Sequence, residues 1–107
     1  MQRILFVCSR NKLRSPTAEQ LFSQEPGLEV LSAGTERDAD VPVTPELIAW
    51  ADRIFAMERT HRTKLQQRFK PYLDGKPIVC LGIPDDYAFM DPALIALLER
   101  KVRPFLA

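Results

Sequence analysis

A cysteine and an arginine near the start of the chain have the spacing expected for cysteine-based chemistry on a phosphate group. Cys8 is followed six residues later by Arg14 and then by Ser15. A thiolate is a strong nucleophile, and a planar guanidinium can contact two phosphate oxygens at once. Because both groups lie on one short loop, the pattern predicts phosphoryl transfer to Cys8.

The segments on either side of this loop predict a strand before it and a helix after it. The run R-I-L-F-V-C at residues 3–8 is apolar and rich in β-forming residues, as in a central parallel strand. Ser15 suits a helix N-cap and Pro16 suits the first helical turn. The loop therefore leads into a helix N-terminus, where free backbone N–H groups and the helix dipole favour an anion. Arg10 and Lys12 add positive charge to the loop.

Strand-like and helix-like segments alternate along the rest of the chain. The predicted strands are Arg3–Val7, Leu28–Leu31, Arg53–Ala56 and Pro77–Cys80. The predicted helices are Pro16–Gln24, Pro45–Trp50, Thr60–Phe69 and Pro92–Phe105. Three of these helices share one predicted start, a capping side chain before a proline, at Ser15, Thr44 and Asp91. The alternation predicts a small doubly wound, Rossmann-like α/β fold, with a four-stranded parallel sheet and helices on both faces. We expect residues 1–107 to form a single domain.

Composition excludes several classes of protein. The 107 residues are 46% hydrophobic and 27% charged, as in an ordinary soluble domain, and the net charge of +1 argues against a nucleic-acid binder. Seven basic residues between Arg53 and Lys76 fit either a solvated helix face or a surface for an anionic partner. Two distant cysteines do not form a disulfide framework, and no segment has the length of a membrane span. We therefore expect a cytoplasmic protein; no oligomeric state is predicted.

A second group of candidate residues follows the fourth predicted strand. The loop reads L-G-I-P-D-D-Y from Leu81, and it places Asp85 and Asp86 at the same sheet edge as Cys8. An acid that protonates a leaving oxygen accelerates its departure by roughly 100- to 10,000-fold. Either aspartate could supply that proton, although two adjacent aspartates also suit an exposed turn. The only histidine, His61, has no partner ligand nearby in sequence, so no metal site and no cofactor are predicted.

Four motifs in order resemble the low-molecular-weight protein tyrosine phosphatase family across nearly the whole chain. They are V-C-S-R-N-K-L-R-S-P-T-A-E, S-A-G-T at 32–35, A-D-R-I-F-A-M-E at 51–58 and I-P-D-D-Y at 83–87. The resemblance implies Cys8 as nucleophile, Arg14 as phosphate clamp and Asp85 as general acid. It further implies that Ser15 donates a hydrogen bond to the thiolate and that Asn11 organises the loop. The substrate would contact the loop and Tyr87, two residues after the acid; the loop residues are Ser9, Arg10, Asn11, Lys12, Leu13 and Ser15.

The chain departs from the family pattern at four places. Arg10 replaces a usual glycine, Asp85-Asp86 replaces Asp-Pro, and Tyr87-Ala88 replaces a pair of aromatic residues. The stretch between Gly34 and Met57 is also much shorter, so part of the wall around an aromatic substrate is expected to be absent. The resemblance predicts a cysteine-dependent phosphomonoester hydrolase, of the protein tyrosine phosphatase type, that forms a cysteinyl-phosphate. Its substrate would be a phosphorylated protein or a small phosphomonoester, and phosphate and vanadate would inhibit it.

Three other functions remain open on the sequence. An arsenate reductase-like enzyme would need further cysteines to resolve the arsenylated thiol, and only Cys80 remains. A phosphocysteine carrier in a sugar-uptake relay would not need a distal acid such as Asp85. A non-catalytic module that binds phosphorylated ligands is compatible with the altered Asp-Pro position and the short middle segment.

Overall fold

The computed structural model describes residues 1–106 and shows four parallel strands covered by helices on both faces. The sheet order is β2-β1-β3-β4, with β1 Gln2–Cys8, β2 Leu28–Gly34, β3 Arg53–Ala56 and β4 Ile78–Cys80. The helices are α1 Arg14–Phe22, α2 Pro45–Trp50, α3 Arg59–Leu73 and α4 Pro92–Val102, and a 3₁₀ turn, Arg103–Phe105, follows. The predicted α/β fold is confirmed.

The central strand β1 divides the core into two layers. Alternate side chains of a strand point to opposite faces, so Ile4 and Phe6 pack with α1 and α4, whereas Leu5 and Val7 pack with α2 and α3. Burial on both faces explains why β1 is a continuous apolar run. The register pairs Cys8 with Gly34 of β2, which places the thiol at the carboxyl edge of the sheet. Ligands of open parallel sheets bind at this edge.

Two of the three predicted helix caps are present, and the third prediction was wrong. The Thr44 hydroxyl accepts from the Leu47 N–H, and the Asp91 carboxylate accepts from the Ala93 N–H. Helix α1, however, begins at Arg14, and its N-cap residue, Leu13, makes no side-chain cap. Ser15 therefore lies inside the first turn, where its hydroxyl is directed at Cys8 rather than at a backbone N–H of the helix.

Helix α3 extends beyond its predicted end, and α4 ends before its predicted end. At Phe69 the backbone of α3 leaves the helical region, with φ −123° and ψ 19°, and the chain then continues through Pro71 to Leu73. A proline inside a helix removes one hydrogen bond and forces such a kink. At the other terminus Pro104 falls in the 3₁₀ turn after α4. Within residues 1–106, no helix has the length and hydropathy needed to cross a membrane.

Candidate active site

Loop 8–14 joins β1 to α1 and is held in shape by Asn11. This residue has a φ of 59°, a left-handed conformation that asparagine tolerates better than most residues. Its buried amide donates to the Ser15 hydroxyl over 3.0 Å and to the Ser32 hydroxyl over 2.8 Å. The Ser32 hydroxyl in turn bonds to the Glu19 carboxylate. The loop is therefore tied to both α1 and β2 from behind.

The Cys8 thiol is buried next to a hydroxyl group. Its Sγ lies 2.9 Å from Ser15 Oγ. Because Ser15 Oγ already accepts a hydrogen from Asn11, its own proton is free to be donated. A second acceptor, the Ala33 carbonyl, is farther away at 3.4 Å. The arrangement can therefore place a hydrogen-bond donor on a Cys8 thiolate.

Arg14 is buried and firmly oriented. Its Nη1 donates to Glu58 Oε1 over 2.5 Å and to the Ile83 carbonyl over 2.8 Å. Its Nε lies 3.7 Å from Asp85 Oδ1. Both hydrogen bonds that Arg14 makes to the described part of the chain use Nη1. The guanidinium edge formed by Nε and Nη2 is therefore available to an anion with the bidentate geometry that arginine favours.

A cavity of about 460 Å³ opens above loop 8–14. Its lining consists of loop residues and two carboxylates: Cys8, Ser9, Arg10, Lys12, Leu13, Arg14, Glu36 and Asp85. Of the predicted site residues, Asn11 and Ser15 support the loop from behind. Tyr87 is partly buried and packs against the core cluster that contains Ile4 and Phe6. Within residues 1–106, no aromatic side chain lines this cavity.

The loop that carries Asp85 is anchored at both ends. The Ile83 N–H donates to the Met57 carbonyl over 2.8 Å, and the Met90 N–H donates to Thr17 Oγ1 over 2.9 Å. Between these points Asp85 reaches the cavity, whereas Asp86 is exposed and does not line it. The two aspartates thus occupy different environments.

An acidic segment, residues 36–40, lies along the outer rim of loop 8–14. Its backbone is fixed by hydrogen bonds from the N–H groups of Glu36 and Asp40 to the carbonyls of Ser9 and Arg10, at 2.9 and 3.1 Å. Its side chains form three ion pairs with cations of the site region, namely Glu36–Lys64, Asp38–Arg10 and Asp40–Lys12, at 3.0, 3.5 and 2.8 Å. Much of the positive charge predicted for the loop is therefore balanced at the rim.

Gly34 allows this close approach of β2 to loop 8–14. A Cβ at that position would lie 2.5 Å from the Ser9 carbonyl oxygen and 2.6 Å from Ala39 Cβ. Real Cβ atoms essentially never come so close to other atoms. The glycine of the S-A-G-T motif is therefore required by packing against the loop.

Sequence reasoning missed two residues of the site, Glu58 and His61. They form a reciprocal capping box at the start of α3, in which the Glu58 carboxylate accepts from the His61 N–H and His61 Nδ1 accepts from the Glu58 N–H. Glu58 also pairs with Arg14, and His61 Nε2 lies 2.8 Å from Ser9 Oγ. The usual capping-box sequence has Ser or Thr at the N-cap and Glu or Gln three residues later, so E-x-x-H gives no standard signal for this box.

The imidazole of His61 is neutral at physiological pH. Burial, reinforced by the positive charge of Arg14, lowers its pKa from 6.5 to about 4, and the opposing effect of the Glu58 carboxylate is smaller. Within residues 1–106, no group of three or more histidine, cysteine or acidic side chains has an arrangement that could hold a metal ion.

Comparison with known proteins agrees with the motifs and with the fold. The model of the family described as low molecular weight phosphotyrosine protein phosphatase matches residues 3–51. No curated protein matches the chain in sequence. The solved structures that resemble it include the YwlE arginine phosphatase from Geobacillus stearothermophilus, at 25% identity over 99% of this chain and 94% of that one, with a TM-score of 0.77.

Two further solved structures carry ligands of the phosphate type. Wzb from Vibrio vulnificus, in complex with benzylphosphonate, is 25% identical over 97% of this chain and 96% of its own, with a TM-score of 0.78. The tyrosine phosphatase Wzb from Escherichia coli K30, in complex with phosphate, is 25% identical over 97% and 95%, with a TM-score of 0.77. The family's model matches the first half of the chain, and the fold of these phosphatases extends over nearly all of it, so the chain is similar to the low molecular weight phosphotyrosine protein phosphatases and is a hydrolase of that type.

Proposed function

We propose that the protein hydrolyses phosphomonoesters through a cysteinyl-phosphate on Cys8, with phosphotyrosine in proteins as its substrate. The observation that carries this proposal is the placement of Cys8 Sγ 2.9 Å from Ser15 Oγ, on a loop that ends at the oriented guanidinium of Arg14. A nucleophile, a donor for its anionic form and an anion clamp thus share one cavity. These parts suffice for covalent catalysis of phosphoryl transfer.

In the first step, the Cys8 thiolate attacks phosphorus in line with the leaving oxygen, so that an S–P bond forms as the P–O bond breaks. The Nε/Nη2 edge of Arg14 and the backbone N–H groups of the loop hold the equatorial oxygens, whose charge they stabilise. The carboxylic acid of Asp85 protonates the departing oxygen. A phenoxide or alkoxide therefore leaves as a neutral alcohol.

In the second step, water replaces the cysteine at phosphorus. Asp85, now a carboxylate, removes a proton from the water while its oxygen attacks, and the S–P bond breaks. The electron pair returns to Cys8 as a thiolate, to which Ser15 donates a hydrogen bond. Inorganic phosphate is released, and both phosphate and vanadate compete with substrate for the same site.

The substrate-binding surface consists of the loop residues Ser9, Arg10, Lys12 and Leu13, while Asn11 and Ser15 act from behind it. Tyr87 would contribute at the outer edge. A free catalytic thiol requires a reducing compartment, and we therefore place the protein in the cytoplasm.

Phosphoarginine is a second candidate substrate. The carboxylates of Glu36 and Asp85 line the cavity, and within residues 1–106 no aromatic side chain does. A carboxylate pairs well with a guanidinium, whereas a phenyl ring gains most from an aromatic wall. One of the similar structures is itself an arginine phosphatase.

The proposal is tested by phosphate release from an aryl phosphate, a phosphotyrosine peptide and phosphoarginine. Cys8→Ser should abolish turnover, whereas the matched control Cys80→Ser should retain it, because Cys80 lies in β4 and outside the cavity. The rates of phosphate release from the three compounds identify the class of substrate that the enzyme prefers. Arsenate reduction, assayed beside these reactions, should be absent. Tight phosphate binding without hydrolysis of any substrate would instead identify a binding module.

A further inference from the structure

His61 connects the start of α3 to the first residue of loop 8–14 after the nucleophile. It is 1% exposed, and both ring nitrogens have partners: the Glu58 N–H at 3.1 Å and Ser9 Oγ at 2.8 Å. Glu58, its partner in the capping box, holds Arg14. The first turn of α3 thus contacts loop 8–14 near its beginning and at its end.

The backbone contact determines which nitrogen carries the proton. An N–H group can only donate, so the Glu58 N–H requires an unprotonated Nδ1 on His61. The proton of the neutral ring is then on Nε2, which donates to Ser9 Oγ. Ser9 Oγ therefore accepts from the histidine, and the hydroxyl proton of Ser9 remains free. Ser9 lines the cavity beside Cys8 and Arg14.

We propose that His61 is a positioning residue that turns the hydroxyl group of Ser9 into a hydrogen-bond donor for the anion held by loop 8–14. The inference rests on the proposed function only for the identity of the substrate, because inorganic phosphate serves equally well as the anion. A hydroxyl that receives one hydrogen bond becomes a better donor of another. The ring must be neutral, because a protonated Nδ1 would place its own N–H against the N–H of Glu58, and neither group could accept a hydrogen bond.

The surroundings of His61 keep it neutral. The charged groups that face it are Arg14 at the end of loop 8–14, Lys64 on α3, Glu58 at the N-cap of α3 and Asp85 on the loop after β4. The two cations disfavour a charged imidazole, the two carboxylates favour it, and burial outweighs the carboxylates. The donor network is therefore complete near neutral pH and is lost as the pH falls towards 4.

The first test uses the unaltered protein. His61 is the only histidine, so nitrogen-correlated NMR of the imidazole reports this ring without ambiguity. We expect the Nε2-protonated tautomer at neutral pH, a titration midpoint near 4, and a change in the Nε2 signal when inorganic phosphate is added. An Nδ1-protonated ring, a midpoint near 6.5 or an Nε2 signal unaffected by saturating phosphate would overturn the proposal.

The second test compares phosphate affinity and steady-state kinetics among four variants. Ser9→Ala and His61→Leu should each weaken phosphate binding and raise KM by about 2- to 10-fold, the loss expected for one hydrogen bond, with a smaller change in kcat. The double variant should be no worse than either single one, because both remove the same donor. His61→Gln, whose amide nitrogen can replace Nε2, should restore most of the affinity.

Multiplicative effects in the double variant, or equal loss in His61→Gln and His61→Leu, would show that His61 acts by packing alone. If His61→Leu does not fold, Ser9→Ala and the NMR titration still decide the question. A wild-type protein that binds phosphate but hydrolyses nothing would refute the proposed function and leave the expectations for phosphate affinity and for the NMR titration unchanged.

Discussion

The floor and the rim of the site are built in opposite ways. On the floor, Cys8, Asn11, Arg14 and Ser15 are at most 5% exposed. Hydrogen bonds of 2.9 and 3.0 Å join Cys8 and Asn11 to Ser15, and Arg14 is held by Glu58 and the Ile83 carbonyl. At the rim, the side chains of Arg10, Asp38 and Asp85 are 63–69% exposed and meet their partners as ion pairs of 3.5–3.7 Å. Buried charges are costly to leave unpaired, whereas exposed ion pairs contribute about 0–1 kcal/mol. We infer that the floor residues determine whether phosphoryl transfer occurs, and that the rim residues determine which substrate is accepted.

The largest effect is expected from Arg14→Lys, which keeps the charge but removes the planar fork. A lysine cannot bond Glu58 and Ile83 while contacting two phosphate oxygens, so kcat/KM should fall by about 100- to 1,000-fold. Steady-state kinetics on an aryl phosphate measure this loss. Arg10→Lys, at the rim, is the matched control and should lose less than about threefold. Retention of half the wild-type rate by Arg14→Lys would assign Arg14 a structural role.

Asp85 lies at the rim but is expected to take part in catalysis as the general acid, whereas Asp86 is not. Asp85→Asn should slow hydrolysis of phosphotyrosine by about 100-fold or more, but slow hydrolysis of nitrophenyl phosphate much less, because a stabilised phenoxide leaves without an acid. Asp86→Asn, its neighbour and control, should change both rates weakly. The opposite ranking would make Asp86 the general acid. If the two substrates responded alike to both changes, neither residue would be protonating the leaving group.

Gly34→Ala tests whether the floor depends on the close contact between β2 and loop 8–14. The added methyl group would meet the Ser9 carbonyl and Ala39, so something must shift. We expect the free energy of unfolding to fall by about 1–3 kcal/mol, together with weaker phosphate binding. Chemical denaturation and phosphate titration measure the two effects. A variant as stable as wild type, with unchanged phosphate affinity, would show that the loop tolerates displacement.

The smallest effect is expected from the double variant Asp38→Asn and Asp40→Asn. It removes two exposed ion pairs, and its free energy of unfolding should change by less than about 1 kcal/mol. Freed from their partners, Arg10 and Lys12 should raise the affinity for multiply charged phosphates at low salt but not at high salt. A decrease of several kcal/mol in the free energy of unfolding would mean that the ion pairs of the rim, like the hydrogen bonds of the floor, stabilise the fold.

Much of the fold and of the floor could be predicted from the sequence. The apolar run of β1 and the C-x5-R-S spacing identify a strand, a turn and an anion-binding helix start, since each depends on residues close together in the chain. The sequence predicts Ser15 as a cap because it precedes Pro16 and a helical run, whereas α1 begins at Arg14 and the Ser15 hydroxyl contacts Cys8 instead. The resemblance to the family had already implied its contact with the thiol.

What the sequence did not reveal depends on distant residues meeting in the fold. Glu58 bonds Arg14 across 44 positions, and His61 bonds Ser9 across 52. Neither pair follows from periodicity or local propensity. The ion pairs between residues 36–40 and the loop also arise only because the register of β1 and β2 aligns Cys8 with Gly34.

The most direct test of the account is to identify the covalent intermediate on the floor. Asp85→Asn protein, mixed with nitrophenyl phosphate and quenched into neutral denaturant, should show a burst of nitrophenol close to one equivalent, because the water step lacks its base. Mass spectrometry of the peptides should then locate one phosphoryl group on Cys8. A burst of product with an unmodified Cys8 peptide, or a phosphoryl group on any other residue, would contradict the central claim.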